Sequence, residues 1–211
     1  MTFPSVYEMF NPLTTVRKQH FWDWFSGDDL RSTWNKNDIS GTNVFAMEDA
    51  VDGGFRLETA GGSGNVAAIT FNDKRHYSQN SSVVISVMKA NQTTDSVVKS
   101  GFGNDAAFSD AGGNDSMLQA TMHSSLANFR LRHGNTSGVA WTDSSIAKDT
   151  SWHSYKIEAK SASAEFTIDG TLEGTATTTL PDEDFQPIFW ITASAASVKK
   201  GFIRFIEAYN T

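Results

Sequence analysis

The sequence predicts an all-β protein built from many short antiparallel strands, arranged as a sandwich or barrel. Three observations predict it. Turn-forming clusters recur roughly every ten residues. Runs rich in β-branched and aromatic residues lie between them. No long stretch repeats at the period of an amphipathic helix. With 211 residues the chain suits one domain, since sandwiches of this size are routinely single domains.

Taken in order, residues 1–20, MTFPSVYEMFNPLTTVRKQH, hold two prolines and no stable period. They read as an irregular arm ahead of a domain spanning 21–211. Strand patterns then run through FWDWF (21–25), NVFAME (43–48), GFRLET (54–59), NVAAITF (65–71), SVVISVMKA (82–90) and VVKSGFG (97–103). The second half adds SMLQATMH (116–123), NFRLRH (128–133), GVAWT (138–142), WHSYKIEAK (152–160), AEFTID (164–169), LEGTATTT (172–179), PIFWITAS (187–194) and GFIRFIEAY (201–209). FSGDDLRSTW (25–34) has room for a single helical turn. Asp52-Gly53-Gly54, Gly61-Gly62-Ser63-Gly64, Gly134-Asn135 and Asp169-Gly170 separate strands, because they supply positive φ or Asx turns. No repeat at a fixed period points to a propeller or solenoid.

Charged residues make up 19% of the chain, fewer than the usual quarter, so Ser, Thr, Asn and Gly must cover much of the surface. Net charge is −7, which argues against nucleic acid or an anionic membrane as partner, because both need clustered Lys and Arg. There is no cysteine, so disulfides and thiolate chemistry are absent. No apolar run approaches the roughly 20 residues of a membrane helix. The first residues lack a basic segment followed by a continuous apolar one. The expectation is synthesis in the cytosol without a signal peptide.

In WHSYKIEA the period of two sets His153, Tyr155, Ile157 and Ala159 on one face and Trp152, Ser154, Lys156 and Glu158 on the other. Pairing this strand with AEFTID pools Phe166 and Ile168 with the apolar face and leaves Lys156, Glu158, Glu165 and Thr167 outside. A tryptophan-led strand, a strand ending in Asp-Gly and a segment leading away resemble the concanavalin A-like lectin and glucanase superfamily. FWDWFSGDDLRSTWN (21–35) is similar to the opening of such domains, and GFIRFIEAYN (201–210) to their closing strand. The resemblance spans nearly the whole domain. It implies a jelly-roll sandwich of two antiparallel sheets, with ligand bound on the concave one.

Glycoside hydrolysis needs two carboxylates flanking the scissile bond. The superfamily's hydrolases supply them from one strand as Glu-x-Asp-x-x-Glu, and no such string occurs here. Glu165 with Asp169, and Asp182-Glu183-Asp184, come nearest and read as solvated surface charge. Histidines 20, 76, 123, 133 and 153 are far apart and form no metal or nucleophile motif. His153, on an apolar face, reads as a satisfied core residue. Asp105, Asp110, Asn114 and Asp115 carry oxygens of the kind calcium takes, though an acidic glycine-rich turn explains them more simply, since calcium needs six or more converging ligands.

Sugar binding needs an aromatic platform beside planar polar groups. Trp141, amid polar residues, is the tryptophan expected at the surface, whereas Trp190 and Trp22 or Trp24 read as core. Phe129 and Leu131 share a core face, which aims Arg130 and Arg132 outward. If that outward face is the concave one, Trp141, Arg130, Arg132, Lys156 and Glu158 are the candidate ligand patch.

Two functions follow. The first is a non-enzymatic structural or attachment protein on a virion surface, a capsid decoration or tail-associated protein with protein partners in a homo-oligomeric assembly. Its arm residues Phe3, Tyr7, Phe10 and Leu13 would dock it. The second is a carbohydrate-binding module or glycoside hydrolase acting on a polysaccharide, with surface glycans as partners. No cofactor is expected unless calcium.

Overall fold

The structure, a computed structural model, describes residues 19–39, 42–48, 53–104 and 116–211. The arm residues Phe3, Tyr7, Phe10 and Leu13 and the calcium candidates Asp105, Asp110, Asn114 and Asp115 lie outside these. Among the described residues every regular element is a β-strand.

Two antiparallel sheets form a sandwich, as expected. The eight-stranded sheet runs β13 (Thr171–Ala176), β12 (Ser163–Ile168), β11 (His153–Lys160), β6 (Ser81–Ala90), β15 (Lys199–Asn210), β4 (Phe55–Thr59) and β3 (Val44–Met47). β1 (His20–Asp23) pairs the second half of β15, beside the stretch that β4 occupies. The seven-stranded sheet runs β10 (Gly138–Ala147), β9 (Asn128–Asn135), β8 (Met117–His123), β7 (Ser96–Gly103), β14 (Gln186–Ala193), β5 (Val66–Thr70) and β2 (Asn35–Ile39).

Alternation decides what lies between the sheets. Tyr155, Ile157, Phe166, Ile168, Val84, Met88, Ile203, Ile206, Phe55 and Leu57 from the first sheet meet Val98, Phe102, Leu118, Ala120, Phe129, Leu131, Phe189 and Ile191 from the second. Burying such side chains contributes about 1.5–3 kcal/mol each relative to exposure. Space is tight at Gly101, whose φ is +150°, against both its neighbouring strand and the opposite sheet. A Cβ there would stand 2.2 Å from the Leu118 carbonyl oxygen and 3.2 Å from Ile157 Cδ1. The Lys156 to Glu165 hairpin pairs as the pattern requires, with Ile157 opposite Phe166 and Glu158 opposite Glu165.

Three expectations change. FSGDDLRSTW forms bends and a turn, closed by Trp34 N–H donating to the Arg31 carbonyl at 3.0 Å, with no helix. β2, NKNDI, is a polar edge strand that no apolar alternation announces. In FWDWF the tryptophans point out and Asp23 points in. Trp22 is 47% and Trp24 58% exposed, whereas Asp23 is buried. The aspartate takes the interior position because it serves buried donors: Oδ2 accepts from Trp34 Nε1 at 2.9 Å and Oδ1 from the Phe25 amide at 2.8 Å.

Candidate functional site

The outer face of the seven-stranded sheet carries two adjacent cross-strand rows. Because neighbours in a ladder share a face, register places Trp190 on β14 beside Lys99 on β7, then Thr121 on β8, Arg130 on β9 and Asp143 on β10. The next row is Ile188, Gly101, Gln119, Arg132 and Trp141. Trp190, Ile188, Met117, Val66 and Ala68 make a small apolar cluster separate from the core between the sheets. Trp190 is therefore fully buried, as the sequence suggested, but on the outer side of the sheet.

Cations surround the indoles. Lys99 Nζ lies 4.2 Å from the Trp190 ring centroid and 5.6 Å from that of Trp141. Arg130 and Arg132 hold their guanidinium carbons 5.5 and 5.6 Å from Trp141, within the range over which a ring quadrupole attracts a cation. His123 meets Trp141 edge-on at 6.4 Å. Gln119 Oε1 accepts from Trp190 Nε1 at 3.4 Å, and its amide Nε2 is buried with no hydrogen-bond partner. An unmade buried hydrogen bond costs about 1–3 kcal/mol, so this buried donor is a local cost to stability.

Accessibility is graded across the rows. Trp190, Lys99, Gln119 and Arg132 are fully buried, Trp141, Arg130 and His123 are half-buried, and Asp143 is exposed. The open end of the face therefore lies along β9 and β10. Trp141 is less exposed than its polar surroundings implied, because the three cations and His123 pack around it.

The candidate patch splits. Trp141, Arg130 and Arg132 come together, but Lys156 and Glu158 project from β11 on the outer face of the other sheet. A period of two reveals which side of its own strand a residue takes. It does not reveal which sheet the strand joins, and the two outer faces look in opposite directions. Lys156 donates to Glu158 at 3.1 Å, and Lys160 reaches Glu165 at 2.6 Å and Glu158 at 3.8 Å. Lys99, Gln119, His123 and Trp190 were missed as site residues. The same alternation that exposed Arg130 and Arg132 would have found Lys99 between Val98 and Ser100, and Gln119 and His123 in MLQATMH.

The carboxylates of these rows, and those that the sequence singled out, have structural partners. The two rows contain one, Asp143, which forms an ion pair with Arg130. Asp169 accepts from His153 and from the Ser154 amide. Asp182 accepts from Ser116 Oγ at 2.6 Å and Thr136 Oγ1 at 2.5 Å, and Glu183 pairs with Arg75 at 2.9 Å. Hydrogen bonds from Ser116 and Thr136 outweigh burial and hold the Asp182 carboxyl below the usual carboxylate value. Among the described residues no group of three or more His, Asp or Glu side chains is placed to hold a metal ion.

This architecture is the concanavalin A-like jelly roll. Similar solved structures include a β-glucanase of Bacillus licheniformis, at 15% identity and a TM-score of 0.63 over 91% of this chain and 98% of that one. A prokaryotic β-1,3-1,4-glucanase (lichenase) from a mouse hindgut metagenome is similar at 16% identity, with a TM-score of 0.65 over 90% and 98%. An immunostimulatory antigen and pseudo β-1,3-glucanase of Mycobacterium tuberculosis is similar at 10% identity, with a TM-score of 0.65 over 90% and 98%. Compared with protein-family models and with curated proteins, the sequence finds no match.

Proposed function

We propose that the protein is a carbohydrate-binding domain that holds a polysaccharide on the outer face of its seven-stranded sheet without hydrolysing it. The observation that carries this is the row register, which brings half-buried Trp141 and Arg130 together at the accessible end of one face, with Arg132, Lys99 and Gln119 buried beside them. An indole offers the flat apolar surface on which a pyranose stacks, and the half-buried Arg130 guanidinium offers donors to hydroxyls or ring substituents. Retaining hydrolysis calls for carboxyls about 5–5.5 Å apart, whereas these rows offer Asp143 alone, already neutralised by Arg130.

The solved structures named above are described as glucanases and a pseudo-glucanase. They support the carbohydrate reading of the fold and give no support to a virion role, so the attachment reading gives way to it.

The test is affinity electrophoresis of the full chain through gels containing lichenan, agarose or carrageenan, beside a reducing-end assay on the same polymers. Trp141→Ala should weaken retardation about tenfold or more, the scale of one stacked ring, at ~1–3 kcal/mol. Arg130→Ala should weaken it less, because that side chain is shared with Asp143. Retardation unchanged in Trp141→Ala would refute the placement of the site. Release of reducing ends that disappears in Asp143→Asn would refute the non-hydrolytic part.

A further inference from the structure

The outer face of the eight-stranded sheet presents features that the site above does not use. Alternation in β1 sends Phe21, Asp23 and Phe25 inward and leaves His20, Trp22 and Trp24 outside. Trp22 and Trp24, at 47% and 58% exposed, are the largest of the exposed apolar side chains. An antiparallel sheet that faces water normally covers itself with polar residues.

Each indole has a packing partner. Arg31 holds its guanidinium carbon 5.2 Å from the Trp22 ring. Nη1 of that arginine donates to the Trp22 carbonyl at 3.1 Å, and its Nε lies 3.6 Å from Asp23 Oδ2. Asp23 is fixed in turn by the Trp34 indole and the Phe25 amide. Trp24 packs on Phe205 with ring centroids 4.4 Å apart. Rings held this way lose little freedom when something stacks on them, the condition under which a platform binds well.

A cleft adjoins the platform. It encloses about 350 Å³ and is lined by His20, Glu207, Tyr209, Asn210 and Thr211. Register sets Trp22 opposite Glu207 and His20 opposite Tyr209, so Trp22 and the Glu207 that lines the cleft are cross-strand neighbours on one face. His20 Nε2 donates to Glu207 Oε1 at 2.8 Å, which orients the carboxylate. No protein partner engages the other carboxylate oxygen or the Tyr209 hydroxyl among the described residues. Asn210 serves as wall, since its Oδ1 accepts from the Ser78 amide and its Nδ2 donates to the His76 carbonyl.

We infer that Trp22, Glu207 and Tyr209 form a second saccharide-binding site, which takes a neutral pyranose unit of a polysaccharide chain. The apolar C–H face of the sugar lies on the Trp22 indole. The oriented carboxylate of Glu207 accepts from its hydroxyls, and the Tyr209 hydroxyl completes the contact. A carboxylate here disfavours a sulfated or uronic chain. A standard protein interface buries about 800 Å² per partner around a desolvated apolar centre, whereas here the cross-strand neighbour of Trp22, Glu207, lines a polar cleft.

The experiment compares the wild-type full chain with Trp22→Ala, Glu207→Gln and Trp141→Ala in gels containing lichenan, a neutral β-glucan, and in gels containing carrageenan. Analytical size exclusion is run on each variant. Trp22→Ala should reduce lichenan affinity about tenfold, and Glu207→Gln should reduce it severalfold. Both substituted residues are accessible, and an unchanged melting temperature will show that folding is intact.

Lichenan affinity lost in Trp22→Ala but kept in Trp141→Ala supports this site and refutes the one on the seven-stranded sheet. The reverse pattern overturns this site alone. Wild-type protein that lichenan does not retard overturns the proposal. So does a Trp22→Ala variant that changes oligomeric state while binding lichenan normally, which would make this face a contact between copies of the chain.

Discussion

His153 offers the most quantitative test of how the sandwich is fastened. Its Nδ1 lies 2.6 Å from Asp169 Oδ2 and its Nε2 lies 2.9 Å from Asp149 Oδ1. Both nitrogens can donate only when the ring is protonated, so the geometry calls for an imidazolium. Desolvation pulls the His153 pKa down, but hydrogen bonds and charge from Asp169 and Asp149 outweigh it, and the net shift is upward from 6.5. A folded value above the unfolded one means that the histidine's contribution is complete below about pH 6.5 and is lost as pH rises through the folded value.

The aspartates behave oppositely. Burial raises them, yet hydrogen bonds, from the Ser151 amide and His153 to Asp149 and from His153 and the Ser154 amide to Asp169, bring both below 3.8. Their contribution is complete above that value and is lost as pH falls through the lowered one. The clamp is therefore whole between about pH 4 and 6.5.

A hydrogen bond to a buried charge contributes about 1.5–3 kcal/mol, and an exposed ion pair about 0.2–1 kcal/mol. The imidazole is 13% exposed but the carboxylates are 51% and 47% exposed, so each pair falls between these limits. His153→Gln, which removes the charge and keeps a donor, should cost about 1–3 kcal/mol in that window. At roughly 2–4 °C per kcal/mol for a chain of this size, melting temperature should drop by roughly 2–12 °C. Thermal melts of wild type and variant followed by circular dichroism from about pH 5 to 9 should converge as pH rises. A gap that stays constant or widens toward alkaline pH would refute the reasoning.

Gly101→Ala should destabilise the protein by about 3 kcal/mol or more, combining strain at positive φ with a clash against the Leu118 carbonyl. A denaturant midpoint within error of wild type would contradict that close approach. Asp23→Ala should cost about 1–3 kcal/mol by orphaning the Trp34 indole N–H. A double-mutant cycle with Trp34→Phe should recover part of the loss, and strictly additive effects would show that the bond contributes nothing. Phe166→Ala, emptying a wholly buried site, should cost about 3–5 kcal/mol. Urea unfolding that reports less than about 1 kcal/mol would place Phe166 outside the core.

Fold class and most of the strands are legible in the sequence alone. Apolar alternation in stretches such as SVVISVMKA and WHSYKIEAK is a local property, and so is the left-handed turn at Asp169, with φ of +47°. β2 escaped detection because an edge strand of Asn, Lys and Asp contributes backbone pairing to β5 without an apolar face. Within the site, alternation located Arg130 and Arg132 on an outward face but could not separate them from Lys156 and Glu158, which satisfy the same pattern on the opposite sheet.

Sheet membership, register and the inversion of FWDWF belong to the tertiary structure. Lys99, Gln119 and Arg132 become neighbours only through pairings between strands distant in the chain. Trp22 and Trp24 face solvent because the opposite face of the same segment packs Phe21 and Phe25 into the core and gives Asp23 an interior indole and amide to satisfy.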